Sequence, residues 1–290
     1  IIYHLIMEEK DSILGKALNR AIGGGGAGAA AMFINVGSLM WLRTTVNYQY
    51  RYGTSTSTAF KKLYRDGGIR RFYRGVGPAL IQGPLSRFGD TAANAGIMVL
   101  MDSNENTKNL SPMVKTAAAS VTAASWRIIL MPIDTLKTTL QVEGKSGVRK
   151  LKTKLGKMGP RALYQGGLAA ASATAVGHYP WFATYNSLQH YLPKPDQDET
   201  LKKFGRNALI GFTSSAVSDT TSNSIRVIKV YKQANSNNLS YLQCAKEVIK
   251  SDGIVGLFGR GLKTKLLSNG IQGIMFSVLW KYFEEVFNNN

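Results

Sequence analysis

Cysteine and histidine are scarce in this sequence, and their scarcity excludes several classes of protein. A single cysteine, Cys244, cannot form a disulfide within the chain, so a secreted disulfide scaffold is excluded. The three histidines, His4, His178 and His190, lack the spacing of metal ligands, and no nucleophile motif accompanies them. The sequence therefore predicts a protein that is not an enzyme and that holds no metal or cofactor.

Acidic residues are also scarce: the sequence has 17 Asp and Glu and 36 Lys and Arg, which gives a formal net charge of +19. Such an excess predicts an anionic partner and leaves nucleic acid, acidic proteins and anionic lipid open. Three clusters of cations lie between the long apolar stretches, at 65–74, 145–161 and 246–260. Long apolar stretches separate the clusters, and this arrangement disfavours a nucleic-acid partner.

Two long stretches contain no formally charged residue, at 21–42 and 166–192. Each is long enough to cross a bilayer as a helix. Four similar stretches carry a few ionisable groups each, at 75–101, 116–133, 207–225 and 262–280. These six stretches predict six membrane-spanning helices, whose few charges face a bundle interior or a wet cavity. The alternative is six buried helices of a soluble bundle.

Three segments of the chain resemble one another without a gap: DGGIRRFYRG from 66, MGPRALYQGG from 158 and DGIVGLFGRG from 252. Each begins near a glycine, continues with an aromatic residue and ends on glycine. A repeat at about a third of the chain length, with two candidate helices in each period, indicates three copies of one helix pair. We expect an N-terminal segment at 1–20 and repeats at 21–105, 106–197 and 198–290.

A second motif precedes the first in the middle repeat, where PIDTLKTTLQ contains Pro132, Asp134 and Lys137. Proline ends or kinks a helix, and an acid and a base three residues apart lie on nearby faces. The equivalent positions are Ser38, Met40 and Arg43 in the first repeat and Ser224, Arg226 and Lys229 in the third. The cation therefore recurs in every repeat, and the acid does not.

With these repeated motifs the chain resembles the mitochondrial carrier family over nearly its whole length. The resemblance implies an all-α fold of six transmembrane helices in three pseudo-symmetric repeats, each with a short surface helix. It also implies residence in the mitochondrial inner membrane and transport by alternating access, with a binding site near the membrane midplane.

In that family, acids and bases from neighbouring repeats close one end of the central cavity. The resemblance implies a gate network here of Asp134, Lys137, Arg43, Arg226 and Lys229. We expect Asp134 to face Arg43, Lys137 and Lys229. Because one acid meets several cations, the closed state needs other contacts or a bound anion.

The gate at the opposite end lacks charge. The family's pattern of an aromatic residue, an acid and a base appears only as Tyr185, Asn186 and Gln189. Neutral amides in place of both charges predict a hydrogen-bonded or apolar plug there.

Substrate contacts in the family lie midway along the second helix of each repeat, which corresponds here to Gln82, Thr174 and Ser268. Because these side chains are neutral, an anionic solute needs other charges, and the candidates within the spans include Arg87, Arg127 and His178. Two alternatives remain open: that Arg87 only pairs with Asp90, three residues away, and that His178 is a hydrogen-bonded packing residue.

The segments that end on glycine also correspond to the family's cardiolipin sites, where lipid phosphate meets helix N-termini. The resemblance implies lipid contacts at twelve positions: Phe72, Tyr73, Arg74, Gly75, Tyr164, Gln165, Gly166, Gly167, Phe258, Gly259, Arg260 and Gly261. A glycine-rich run at 23–28 matches a dinucleotide-binding pattern, but no strand precedes it, so close helix packing explains it better.

Two functions compete. The cations near Asp134 favour a carrier that moves a small anionic solute by alternating access. The degenerate gates favour a carrier fold without transport, serving as a structural or assembly subunit of a larger, respiratory-type complex with membrane protein partners.

Overall fold

The computed structural model describes residues 32–193, 195, 200–235 and 237–288, and those residues form helices with no strand among them. This confirms the predicted all-α class for the described part of the chain. The helices are α1 (32–52), α2 (Thr56–Phe72), α3 (Val76–Ser103), α4 (Pro112–Ile129), α5 (Met131–Glu143), α6 (Gly147–Met158), α7 (Gly167–Tyr191), α8 (Thr200–Ala234), α9 (Tyr241–Gly259) and α10 (Leu262–Asn288). The expected segment at 1–20 and the glycine run at 23–28 lie outside the described residues.

Long and short helices alternate along the chain. The short helices α2, α6 and α9 each lie between two long helical segments. Helices α4 and α5 follow each other with a break at Leu130, directly before the Met131-Pro132 pair that opens α5. Because proline lacks a backbone N–H, it fits the first turn of α5 and interrupts a continuous helix.

Among the described residues, no single helix meets the length and hydropathy expected of a membrane span. The segments Val114–Ile129 and Met131–Tyr191, bent by 65°, meet it together.

Several of the long helices extend beyond the predicted apolar stretches, although α7 lies within its stretch. The first stretch was expected to end at 42, whereas α1 continues to 52. This extension carries polar residues that are almost fully buried, including Thr44, Thr45 and Gln49. Thr44 donates a hydrogen bond to the Phe72 carbonyl at 2.6 Å. Polar side chains therefore line the helix contacts here, which hydropathy alone does not reveal.

A glycine with a left-handed backbone precedes each of α3, α7 and α10: Gly75 and Gly261 end their repeated segments, whereas Gly166 lies one residue before Gly167, the glycine that ends the middle segment. Gly75, Gly166 and Gly261 have φ of 85°, 88° and 65°. A Cβ on Gly75 would lie 2.9 Å from the Lys137 carbonyl oxygen in α5, and one on Gly166 would lie 3.3 Å from the Lys229 carbonyl oxygen in α8. Glycine is needed at these positions because a side chain would be strained and would obstruct the close approach of the next helix.

A buried cation from each repeat caps the C-terminal end of a helix in another repeat. The cations Arg71, Lys154 and Arg260 are 3%, 3% and 6% exposed. Helix C-termini leave carbonyl groups without intrahelical partners and carry partial negative charge, so cations stabilise them. The contacts run from Arg71 to the Gln141 and Val142 carbonyls (both 2.8 Å), from Lys154 to those of Gln233 (2.9 Å) and Lys232 (3.3 Å), and from Arg260 to those of Arg51 (3.2 Å) and Tyr50 (3.4 Å).

The three capping cations differ in whether a carboxylate pairs with them. Arg71 pairs with Asp66 at 2.6 Å and Arg260 pairs with Asp252 at 2.8 Å. In the described part of the chain, no carboxylate lies within 4.0 Å of the Lys154 amine. Burial and the nearby charge of Lys232 lower the pKa of Lys154 to about 8. Within the described residues, Lys154, which caps α8 from α6, is therefore the capping cation that has no ion pair.

An apolar cluster lies where α1, α5 and α8 converge, next to the capped helix ends. It consists of Val46, Tyr50, Val142, Val227, Val230, Ala234 and Val248. Three of these residues, Val46, Tyr50 and Val230, line the cavity described below, so the cluster borders it. Its burial holds the three helices together where the expected gate residues lie.

Candidate functional site

A cavity of about 300 Å³ lies between the long helices and is lined by α1, α3, α4, α5, α7, α8 and α10. Among the described residues, one carboxylate lines it, that of Asp134, together with six cations: Arg43, Arg127, Lys137, Arg226, Lys229 and Lys265. An anion that leaves water needs paired charge, so the lining suits an anionic occupant.

The expected substrate contacts occupy two neighbouring cavities. Gln82, Thr174 and Ser268 line the first cavity, with Arg127 and His178. Arg87 instead lines a second cavity of about 1190 Å³, which shares His178 and Lys265 with the first. Arg87 thus shares a cavity with His178 but not with Gln82, Thr174, Ser268 or Arg127.

Asp134 holds two lysines from different helices. Its Oδ1 lies 2.7 Å from Lys137 Nζ within α5, and its Oδ2 lies 2.6 Å from Lys229 Nζ of α8. Gln233 donates a further hydrogen bond to Oδ2 at 3.1 Å. The carboxylate is 7% exposed, and a buried charge is tolerated because these partners compensate it. The structure therefore brings three of the five expected gate residues together.

The other two expected gate residues have different partners. Arg43, which was expected to face Asp134, lines the same cavity but donates to Gln272 Oε1 of α10 at 2.6 Å. Arg226 pairs with Asp219 of its own helix at 3.5 Å. Asp219 was missed as a partner, although its spacing of two helical turns from Arg226 was a usable signal.

The three junctions between α1, α5 and α8 differ in chemistry. The α5–α8 junction is ionic, whereas the other two are neutral. The contacts are Lys229 with Asp134 between α5 and α8 (2.6 Å), Asn47 with Gln141 between α1 and α5 (2.5 Å), and Tyr50 with Asn223 between α1 and α8 (3.1 Å). Only one of the three junctions therefore resembles the charged gate that the repeats predict.

The α3, α4 and α7 side of the cavities carries a separate polar cluster. Arg127 pairs with Asp90 at 2.5 Å and also donates to Ser86. Asp90 thus has a partner on α4, which the expectation of a pair with Arg87 did not include. His178 Nδ1 lies 2.7 Å from Ser120 Oγ, so this histidine is hydrogen-bonded and still borders the cavity.

The expected neutral plug contains a hydrogen-bond chain. Gln189 donates to Tyr185 at 3.1 Å, and it accepts a hydrogen bond from Arg206 of α8 at 2.6 Å. Arg206 also donates to the Gln189 backbone carbonyl at 2.9 Å. Sequence reasoning missed Arg206, because a cation elsewhere in the chain gives no signal that it faces an amide.

The expected lipid-binding segments differ in how far their aromatic side chains are exposed. The Tyr164 and Phe258 side chains are 48% and 52% exposed, whereas Phe72 is 3% exposed and packs against Phe60 with ring centroids 4.7 Å apart. An aromatic contact to lipid is therefore available in two of the repeats.

Two side chains expected to contact lipid turn inward instead. Arg260 is engaged by Asp252 and by carbonyls of α1, and Gln165 donates to Asn238 at 3.1 Å. The helix N-termini after Gly75, Gly166 and Gly261 remain as candidate anion-binding groups in these segments. The first backbone N–H groups of a helix lack partners within it.

Metal binding finds no support in the described residues, where no group of three or more His, Cys, Asp or Glu side chains could hold an ion.

Comparison with known sequences identifies the family. The sequence profile of the mitochondrial carrier protein family matches three successive segments, 15–100, 108–196 and 201–290. These segments cover most of the chain, so it belongs to the mitochondrial carrier family.

Individual relatives are distant. The chain is 28% identical over 185 residues to mitochondrial thiamine pyrophosphate carrier 1 of Scheffersomyces stipitis, covering 60% of this chain and 59% of that protein. It is 25% identical over 255 residues to mitochondrial nicotinamide adenine dinucleotide transporter 2 of Arabidopsis thaliana, covering 79% and 68%. It is 25% identical over 243 residues to mitochondrial substrate carrier family protein L of Dictyostelium discoideum, covering 77% and 81%. The match thus spans about three fifths of the first of these relatives.

Proposed function

We propose that this chain is a carrier of the mitochondrial inner membrane that moves a small anionic solute by alternating access. The observation that carries this proposal is the cavity lining, where the described residues include six cations and one carboxylate, which pairs with only two of those cations. Two relatives bear the names of thiamine pyrophosphate and nicotinamide adenine dinucleotide transporters, and both of those solutes contain phosphates.

The proposed architecture has six transmembrane helical segments: α1, α3, the α4–α5 pair, α7, α8 and α10. They form three pseudo-symmetric repeats at 21–105, 106–197 and 198–290. In this arrangement the solute enters the cavity from the side opposite the apolar cluster. Opening toward the other side separates α5 from α8, which breaks the ion pair of Asp134 with Lys229.

Uptake into liposomes tests this function. The purified full chain is reconstituted with internal carboxylates, phosphate or nucleotides, and exchange with external labelled anions is measured. We expect exchange of at least one anion class, reduced in Lys229→Gln, which alters the cavity, and retained in Lys250→Gln, which alters an exposed cation of α9. Absence of exchange for every class would contradict the proposal.

A second function is favoured by the gate itself, because only one of its three junctions is ionic. A carrier fold that serves as a structural or assembly subunit of a larger membrane complex needs no reversible gate. Native mass in mild detergent separates the two. A single 31.6 kDa species supports the carrier, and a defined larger assembly supports the subunit.

Lipid binding accompanies either function. We infer that cardiolipin phosphate binds at the starts of α3, α7 and α10, where the left-handed glycines leave backbone N–H groups available. Retention of cardiolipin through purification, reduced by Gly166→Ala, tests this part of the proposal.

A further inference from the structure

Three of the cavity cations lie near one another on α1, α8 and α10. They are Arg43, Arg226 and Lys265, and all three line the cavity of about 300 Å³. Asn269 links two of them, because it accepts a hydrogen bond from Lys265 at 3.0 Å and donates one to Asp219, which pairs with Arg226 at 3.5 Å. Each cation comes from a different helix, so a ligand held by all three would bridge α1, α8 and α10.

This cluster is short of negative charge. Arg43 donates to the neutral Gln272, and Lys265 donates to the neutral Asn269 at 3.0 Å. Within the described ranges, no carboxylate lies within 4.0 Å of either cation. Asp219 is the one acid beside the cluster, at 3.5 Å from Arg226, and it also accepts from Asn269. Three cations with one acid leave a net charge of +2.

A buried hydrogen-bond donor without a partner also indicates that the cluster binds an anion. Among the described residues, the buried Nε atoms of Arg43 and of Arg127 both have no hydrogen-bond partner, but only Arg127 also has a carboxylate, that of Asp90. Buried donors and buried charges are costly unless a partner satisfies them. An anion placed at the cluster would supply both the missing charge and the missing acceptors.

Other cations of the cavity are better compensated. Arg127 is paired with Asp90, and Asp134 holds both Lys137 and Lys229. The excess of charge is therefore largest at the α1–α8–α10 side, where a ligand gains most.

We propose that the Arg43, Arg226 and Lys265 cluster binds a phosphoryl group of the transported solute. This inference rests on the proposed transport function and narrows the solute to phosphorylated compounds. A phosphoryl group carries about two negative charges at neutral pH, which matches the cluster, whereas a carboxylate carries one. Guanidinium groups also match phosphate oxygens in a two-pronged geometry.

The position of the cluster gives the ligand a second role. Arg43 and Arg226 occupy positions of the repeated gate motif, and the first and third repeats have Met40 and Arg226 where the middle repeat has Asp134. The α1–α8 junction is held by the neutral contact of Tyr50 with Asn223. A phosphoryl group between Arg43 and Arg226 supplies the anionic contact that this junction lacks.

Thermal unfolding of the full chain in mild detergent tests the site, with inorganic phosphate, pyrophosphate and succinate compared at equal ionic strength. We expect pyrophosphate and phosphate to raise the unfolding temperature more than succinate. The apparent affinity for pyrophosphate should fall about ten-fold or more in Lys265→Gln, because a charged hydrogen-bonding partner is lost. Lys265→Arg should retain most of it, and Lys250→Gln, an exposed control, should match the wild type.

The same experiment overturns the site if succinate stabilises as strongly as pyrophosphate, or if Lys265→Gln and Arg43→Gln both bind pyrophosphate like the wild type. Two arginine or lysine positions are varied so that failure of one variant to fold leaves the other informative. A shift caused by cardiolipin but not by pyrophosphate, and lost in Lys265→Gln, would assign the cluster to a lipid headgroup and also overturn the solute site.

The transport assay separates this inference from the proposed function. Exchange of carboxylates without any response to phosphate compounds refutes the phosphoryl site and keeps the carrier. Pyrophosphate binding that depends on Lys265, with no exchange of any anion, supports the site and refutes transport.

Discussion

The ion pair between Asp134 and Lys229 is the contact whose removal is most informative. It joins α5 to α8, and its partners are 7% and 18% exposed. Asp134→Asn removes the charge that also holds Lys137, so two lysines are left without their acid. We expect a loss of stability, because breaking one member of a buried pair leaves an uncompensated charge.

The size of this loss follows from burial. Exposed ion pairs contribute under about 1 kcal/mol, whereas breaking a buried pair costs about 3–5 kcal/mol. Since the lysine is partly exposed to the cavity, we expect Asp134→Asn to cost about 3 kcal/mol. A double-mutant cycle with Lys229→Gln should give an interaction energy of about 2 kcal/mol, because the two side chains are in direct contact.

The single thiol of Cys244 provides the assay. It is buried in the folded chain, so a fluorogenic maleimide reports its exposure on heating. Each kcal/mol corresponds to about 2–4 °C in chains of a few hundred residues. The matched control is the pair of Lys108 with Glu105 at 3.9 Å, whose side chains are 50% and 92% exposed, and its cycle should give nearly zero.

Additive effects of Asp134→Asn and Lys229→Gln, with an interaction energy like that of the exposed control pair, would refute this reasoning. That result would mean that the α5–α8 junction is held by packing and by neutral hydrogen bonds.

Three further predictions concern the capped helix ends and their surroundings. Gly75→Ala should destabilise the fold by about 1 kcal/mol or more, because its φ is 85° and a Cβ would lie 2.9 Å from a carbonyl oxygen. The control Gly77→Ala, which has open space around it, should be neutral or stabilising in the same thermal unfolding assay. Burial lowers the pKa of Lys154 to about 8 from 10.5, so the unfolded chain holds more protons than the folded chain between these pH values. The free energy of unfolding should therefore rise with pH across this range, by up to about 3 kcal/mol. Denaturant titrations of the wild type should show this rise, and those of Lys154→Gln should not. Burial also raises the pKa of the Cys244 thiol, so native protein at pH 7 should resist iodoacetamide, and mass spectrometry showing rapid native labelling would contradict the buried placement.

The glycine pattern was readable from the sequence because its cause is local. Gly75, Gly166 and Gly261 each need a left-handed backbone before a long helix, and glycine is the residue that adopts it without strain. The gap-free segments, 92 and 94 residues apart, identified Gly75 and Gly261 but pointed to Gly167 in the middle segment, one residue after the left-handed Gly166. The repeat was therefore located to within one residue, and the family profile matches the same three parts of the chain.

The ends of the helices were harder to place. Uncharged stretches predicted the apolar middle of each helix, but α1 and α8 continue through polar residues that other helices bury. Hydropathy measures preference for an apolar solvent, and it does not register a polar side chain that finds its partner inside the protein.

The sequence by itself determined the helical class, the three repeats and the shortage of gate acids, because these depend on residue type and spacing. Only the tertiary structure decided which charges meet. The three helix caps illustrate the reason: Arg71 follows Gly67 by four residues, Arg260 follows Gly253 by seven, and Lys154 precedes Gly159 by five. Long cationic side chains reach a helix end from different positions along the chain, so their common role depends on how the helices pack and leaves no common spacing in the sequence.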